Sequence, residues 1–231
     1  MNFQWLQDYG PMLWRGVAVT AQLLLLSGGL GFALAVAVGF ARLSRQPFLA
    51  WLSLSFTNLI RGTPLLVQIY VLYYGLGSLF AGFPALRDSL LWPYLREGFW
   101  YVALALALSV AGYVGEVVRG GLAAVPKGEL EAARALGMPR LTMARRIWLP
   151  RALLILLPSL AGETVLLLKS TALASTVAVM DVLGAANLVR AQTLRTYEPL
   201  LTVALIYFAL AWLIERVFLK LEKKLPVRTA F

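Results

Sequence analysis

Long uncharged runs separated by short basic links dominate the chain. Residues 16–41 carry no charge, a second run begins between residues 49 and 62 and ends near 79, and residues 98–118 form a third with Glu116 near its end. Residues 151–168 form a fourth, interrupted by Glu163, and residues 199–217 a fifth. A hydrocarbon core of about 30 Å takes roughly 20 residues of helix, so each run can cross a bilayer. The pattern predicts an all-α integral membrane protein of about five transmembrane helices. Residues 170–195, rich in Ala, Ser, Thr and Val and containing Asp181, Arg190 and Arg195, fit either a short surface helix or a broken, re-entrant one.

Composition agrees: 60% of residues are hydrophobic and 14% charged, outside the usage of a soluble domain. The net charge of +10 does not point to nucleic acid, because the bases sit at the ends of apolar runs instead of forming one patch. That placement orients a chain in a bilayer. Arg42 and Arg45, the long link holding Arg119, Lys127, Arg134, Arg140, Arg145, Arg146 and Arg151, and the tail with Lys220, Lys223, Lys224 and Arg228 are expected in the cytoplasm. In the intervening link, Arg87 and Arg96 are offset by Asp88 and Glu97. The N-terminus is therefore expected outside and the C-terminus inside, with the first span a retained anchor. No linker or repeat divides residues 1–231, which read as a single membrane domain. The absence of Cys and His excludes disulfides, thiolate or imidazole metal sites and Ser-His or Cys-His catalysis, so neither an enzyme nor a metal site is expected. No Gly-x-x-x-x-Gly-Lys-[Ser/Thr] loop is present, so any nucleotide belongs to another polypeptide.

The long link, about residues 119–151, carries the most specific pattern. Pro126 opens a helix, Glu129 and Glu131 lie where the helix dipole favours acids, and Gly137-Met138-Pro139 ends it after about two turns. Leu130, Ala133 and Leu136 recur at helical spacing, and Ala132 and Ala135 keep the helix slim enough to enter a partner's groove. A solvated helix tethered at the interface by Arg145 and Arg146 is the other reading of the same residues.

At these residues the chain resembles a known family. Glu131-Ala132-Ala133, Gly137 and Ile147-x-Leu149-Pro150 look like the EAA loop of permease subunits in bacterial ABC importers. Further stretches are similar to the polar amino-acid uptake branch: Arg61 to Gln68, Tyr113 to Glu116 with Arg119-Gly120-Gly121, and Lys169 to Leu173. The resemblance implies a type I ABC importer permease fold in the bacterial cytoplasmic (inner) membrane, paired with a second copy or a sister permease. It further implies that Glu131, Ala132, Ala133, Leu136 and Gly137 dock on an ATP-binding cassette ATPase subunit, which binds ATP and Mg, and that an extracytoplasmic amino-acid-binding protein delivers the substrate. Gly162, Ser170, Ala172 and Arg151 depart from the residues such permeases commonly carry at these places. An ATPase-independent channel or scaffold, whose loop binds an accessory protein, is the alternative.

Ionisable groups inside spans are costly, about 2.5 to 3.5 kcal/mol each at mid-bilayer, and so are candidate substrate contacts. Glu163 lies roughly 18 Å along its helix from Arg151, past the midplane. Lys169, with Thr171, is placed to meet a substrate carboxylate, or Lys169 snorkels outward. Arg61 stands beside a proline-kinked stretch, either on a cavity wall or as an interfacial anchor, and Gln68 follows near the same helical face with a donor and an acceptor. Glu116 and Arg119, three apart, pair as a structural or gating element. Gly28, Gly29, Gly31 and Gly39 allow close helix packing, within the subunit or at a dimer interface.

Overall fold

The computed structural model describes residues 4–224; Arg228 of the basic tail lies outside this range. Among the described residues the chain runs through α1 (Gln4–Arg42), α2 (Pro47–Gly62), α3 (Leu65–Ala81), α4 (Gly98–Ala123), α5 (Lys127–Ala135), α6 (Arg140–Val177), α7 (Val182–Thr193) and α8 (Tyr197–Lys224). Single helical turns, Pro84–Arg87 and Trp92–Leu95, link α3 to α4. Helix α6 contains a π-helical stretch at Ala144–Trp148 and ends in a 3-10 turn at Thr171–Val177. Four helices, α1, α4, α6 and α8, are long and apolar enough to cross a membrane, and α2 and α3, bent by 103° to each other, are together long and apolar enough for a fifth.

Helix α4 is the axis. Its sequence is apolar on all sides and rich in Ala, Gly and Val, the pattern of a helix buried all round. Helix α1 runs parallel to it at constant register, Gly31 against Val110 and Gly39 against Val118. A Cβ on Gly39 would stand 2.5 Å from Val118 Cγ1, and one on Gly115 2.7 Å from Val38 Cγ1, so the two backbones meet because glycine alternates sides. Lipid tails are as apolar as leucine, so such close packing rather than water exclusion holds helices together. Gly28 borders Leu167 of α6 at 3.5 Å, while Gly29 faces open space. Helix α8 shows the contrasting surface, with Leu205 and Phe208 well exposed, as befits a lipid-facing span.

The second span is broken where the sequence places Thr63-Pro64. Thr63 is extended, with φ −116° and ψ 141°, and Pro64 has no N–H to continue the ladder. The orphaned carbonyls are satisfied locally. Thr63 Oγ1 donates to the Leu59 carbonyl at 2.8 Å, and Gln68 Nε2 donates to the Ile60 carbonyl and to Thr63 Oγ1, each at 2.8 Å. Irregular backbone at membrane depth requires such partners.

Of the two readings of residues 170–195, the surface helix does not hold: the segment is broken, and its helical part is buried against the bundle. The chain turns at Ala178, in the left-handed region with φ 59°, and α7 buries Val182, Ala185, Ala186 and Val189. These pack with Trp5 and Leu13 of α1 and Val203 of α8. The same contact explains why α1 begins well before the uncharged run: its first turns have an inner face that α7 covers. Asp181, between the fourth and fifth spans, caps α7 by accepting from Gly184 N–H at 2.8 Å. Around it the Val182 N–H donates to Thr20 Oγ1 at 3.2 Å and the Tyr207 hydroxyl donates to Asp181 Oδ2 at 3.5 Å, a buried polar knot joining α1, α7 and α8.

Two measurements test this packing. Gly39→Ala should destabilise the full-length chain by about 1–3 kcal/mol through overpacking against Val118, whereas Gly29→Ala should leave the detergent melting temperature unchanged or slightly raised. Burial pushes the Asp181 carboxyl from 3.8 up to about 6, against the opposing hydrogen bonds of Gly184, Leu183 and Tyr207. The folded chain thus holds a proton that the unfolded chain releases. Stability from this group is full below about pH 4 and is lost as pH rises through about 6. Asp181→Asn, which keeps a capping oxygen, should flatten that fall in melts recorded across the window.

Candidate functional site

Three features stand out: a cavity inside the bundle, an ionic clasp at one end of it, and an exposed helix beyond the clasp. The cavity, of about 200 Å³, lies between α3, α4 and α6 and is lined by Leu65, Leu106, Ser109, Tyr113, Glu163 and Ser170, among others. Helix α6 delivers Glu163 and Ser170 to it, seven residues apart and so on one face. Glu163 is half-buried and makes no ion pair among the described residues. Arg61, at the last turn of α2, places its guanidinium 5.6 Å from the centroid of the Tyr113 ring, and Tyr113 lines the same cavity. The α2–α3 break and the Tyr113 ring therefore bring Arg61 toward the Glu163 cavity. A cation–π contact of this kind holds a guanidinium without neutralising it.

The other expected substrate contacts lie elsewhere. Gln68 spends its amide N–H groups on the α2–α3 break, and its Oε1 is buried with no hydrogen-bond partner among the described residues. Lys169 is exposed on the outside of α6. Thr171 is fully buried; its hydroxyl donates to the Leu168 carbonyl at 2.7 Å and lies 3.4 Å from the Tyr207 hydroxyl, in the Asp181 knot. Of the lining groups, Tyr113 and Ser170 lie in the stretches Tyr113 to Glu116 and Lys169 to Leu173 that the sequence marks, whereas nothing in the sequence marks Ser109.

The clasp joins three helical positions. Glu116 binds Arg119 through Oε2 at 2.7 Å, as the spacing predicts, and Arg42 through Oε1, also at 2.7 Å. Arg42 is the last residue of α1, so the clasp ties the ends of the two parallel helices. Beyond it, α5 is capped by a Schellman motif. Gly137 has φ +71°, its N–H reaches the Arg134 carbonyl at 2.9 Å, and the Met138 N–H reaches the Ala133 carbonyl at 3.0 Å. Leu136 is 84% exposed while Ala133 is 3% exposed, so the predicted apolar stripe splits. Ala133 faces inward with Leu130, and Glu131, Ala132 and Leu136 face out. Arg151 pairs with Glu129 at 2.9 Å, fastening α5 to α6. Trp148 reinforces the joint by donating its indole N–H to the Leu122 carbonyl at 2.9 Å.

A multi-pass helical bundle with a broken second span, an intramembrane carboxylate cavity and a slim external helix defines a membrane transport subunit. The chain belongs to the family of binding-protein-dependent transport system inner membrane components, matched over residues 29–226. It is 42% identical to an octopine transport system permease protein of Rhizobium meliloti, over 91% of this chain and 84% of that protein. It is 36% identical to the histidine/lysine/arginine/ornithine transport system permease protein of Escherichia coli K12, over 93% and 91% of the two chains. Among solved structures, an amino acid ABC transporter with histidines superposes with a TM-score of 0.83 at 29% identity, covering 97% of this chain and 99% of that one. The chain is thus an inner-membrane permease subunit of the type I importer fold, and a free-standing channel or scaffold is not favoured.

Proposed function

We propose that this chain is the membrane half of an ATP-driven importer for an amino acid with a cationic side chain. The carrying observation is the Glu163 cavity: a carboxylate within the bundle, unneutralised by an ion pair among the described residues, beside a guanidinium held over an aromatic ring. Glu163 meets the substrate's positive side chain and Arg61 its carboxylate, leaving Gln68 to hold the broken span open between them. The names of the relatives support the charge: they include an arginine permease of Bacillus subtilis and the histidine/lysine/arginine/ornithine permease. Lys169 acts in this reading as an outward anchor, and Thr171 as part of the knot that fixes the end of α6.

Residues 1–231 act as one permease domain, non-catalytic itself. Its loop at about 119–151 faces the cytoplasm, the N-terminus lies outside and the C-terminus inside. Glu131, Ala132 and Leu136 enter a groove on an ATP-binding cassette ATPase, with Ala133 and Gly137 shaping the helix that presents them. ATP and Mg sit on that partner, a soluble extracytoplasmic receptor supplies substrate, and a second permease completes the pore. ATP-driven closure draws two such helices together and tilts the spans.

Two experiments on the purified complex test the two ends. Leu136→Asp removes an exposed apolar contact without touching the core and should abolish ATPase co-purification while the chain melts normally; a complex that assembles with full ATP turnover defeats the docking assignment. Glu163→Gln, which loses a charge-assisted hydrogen bond of about 1.5–3 kcal/mol, should weaken equilibrium binding of radiolabelled arginine roughly ten- to hundredfold. Unchanged arginine affinity would remove Glu163 from the site.

A further inference from the structure

On the α5 side of the bundle a cavity of about 690 Å³ is lined by Arg45, Arg134, Arg140, Met143, Ala144 and Trp148. The three arginines come from separate places: the α1–α2 link, the last turn of α5 and the first turn of α6. Their neighbours have carboxylate partners: Arg42 and Arg119 share Glu116, and Arg151 binds Glu129. Arg45, Arg134 and Arg140 have no ion pair among the described residues, and no carboxylate lines the cavity. Like charges brought around one concavity repel unless an anion sits among them, and guanidinium groups match phosphate oxygens in pairs.

The depth of the cavity identifies the source of that anion. Trp148 forms one wall, and its ring meets Phe40 edge-on at a centroid distance of 6.1 Å. Phe40 lies at the end of the uncharged run of α1, two residues before Arg42 and so about 3 Å from it along the helix, at the level where hydrocarbon gives way to headgroups. Just after Arg45, Phe48 and Trp51 project from the first turns of α2, 67% and 61% exposed. Aromatic rings toward the acyl region with arginines on the other side match an amphiphile whose head is anionic.

We infer that the cavity bounded by Arg45, Arg134, Arg140 and Trp148 is a binding site for the phosphate headgroup of an anionic glycerophospholipid in the leaflet on the α5 side. This goes beyond the transport role and holds whatever the substrate is. A bound lipid would neutralise the arginines and brace the α1–α2 link against the α5–α6 junction.

The test is a native mass spectrometry titration of the full-length chain in detergent with dioleoylphosphatidylglycerol, against dioleoylphosphatidylcholine. Wild type should retain the anionic lipid selectively. Arg45→Gln combined with Arg140→Gln should weaken that retention by about tenfold or more, given roughly 1 kcal/mol for each interfacial base. Arg45→Lys combined with Arg140→Lys should lose less, and Lys224→Gln, on the tail helix, nothing. Arg134 is left intact because α5 is the proposed docking helix. Equal retention of the two lipids by wild type overturns the inference, as does undiminished retention by the glutamine pair. Displacement of the lipid by millimolar inorganic phosphate would assign the site to a free anion and overturn the lipid source. If the glutamine pair does not fold, wild-type selectivity and the lysine pair decide.

Discussion

The structure depends on the parallel contact of α1 with α4. Apolar side chains gain little from leaving lipid for protein, so a membrane bundle needs surfaces that fit more closely than lipid can. Gly31 and Gly39 on one helix and Gly115 on the other supply that fit by removing the atoms that would otherwise keep the backbones apart. Once the register is set, Arg42 arrives beside Glu116 and the clasp closes. A partly buried carboxylate shared by two guanidinium groups is costly to open, because opening strands charge where water is scarce. With α1 and α4 joined at both mid-span and end, α4 presents its remaining faces to α2, α3 and α6, and the cavity forms where α3, α4 and α6 do not quite meet.

The same axis shows which parts of the chain were legible. Span number followed from length alone, and the Thr63-Pro64 break from the chemistry of proline. The Glu116–Arg119 pair was readable because three residues of helix bring side chains together. Arg42 was not, since its partner is fixed only by the register of two helices far apart in sequence. Arg151 fell to the same limit: an isolated base at a span's edge has the composition of a lipid anchor, and only the fold of α5 back onto α6 reveals Glu129. Thr171 shows a further limit: nothing in its own sequence neighbourhood reveals that the 3-10 turn ending α6 brings its hydroxyl into the buried knot with Tyr207. The first turns of α1 and the whole of α7 were obscure for one reason: each is only modestly apolar alone, and their hydrophobic faces complete one another.

The cavity and the external helix are connected by α6. Its first turns hold α5 through Arg151 and α4 through Trp148, and Glu163 lies about 18 Å further along the same helix. Displacement of α5 therefore reaches the cavity without crossing a loop. A perfectly stiff rod would carry the whole span with it and leave the cavity's shape unchanged. Helix α6 is not such a rod, because the π-helical stretch at Ala144–Trp148 and Pro158 both interrupt its hydrogen-bond ladder. Pro158 falls between the joint with α5 and Glu163, so a push at the near end can become a bend that swings the carboxylate relative to Tyr113 and Arg61. The far end cannot follow freely, since Thr171 and Asp181 tie it to α1, α7 and α8. A helix held at both ends and weakened between them changes shape in the middle, and the middle is where the charged cavity lies.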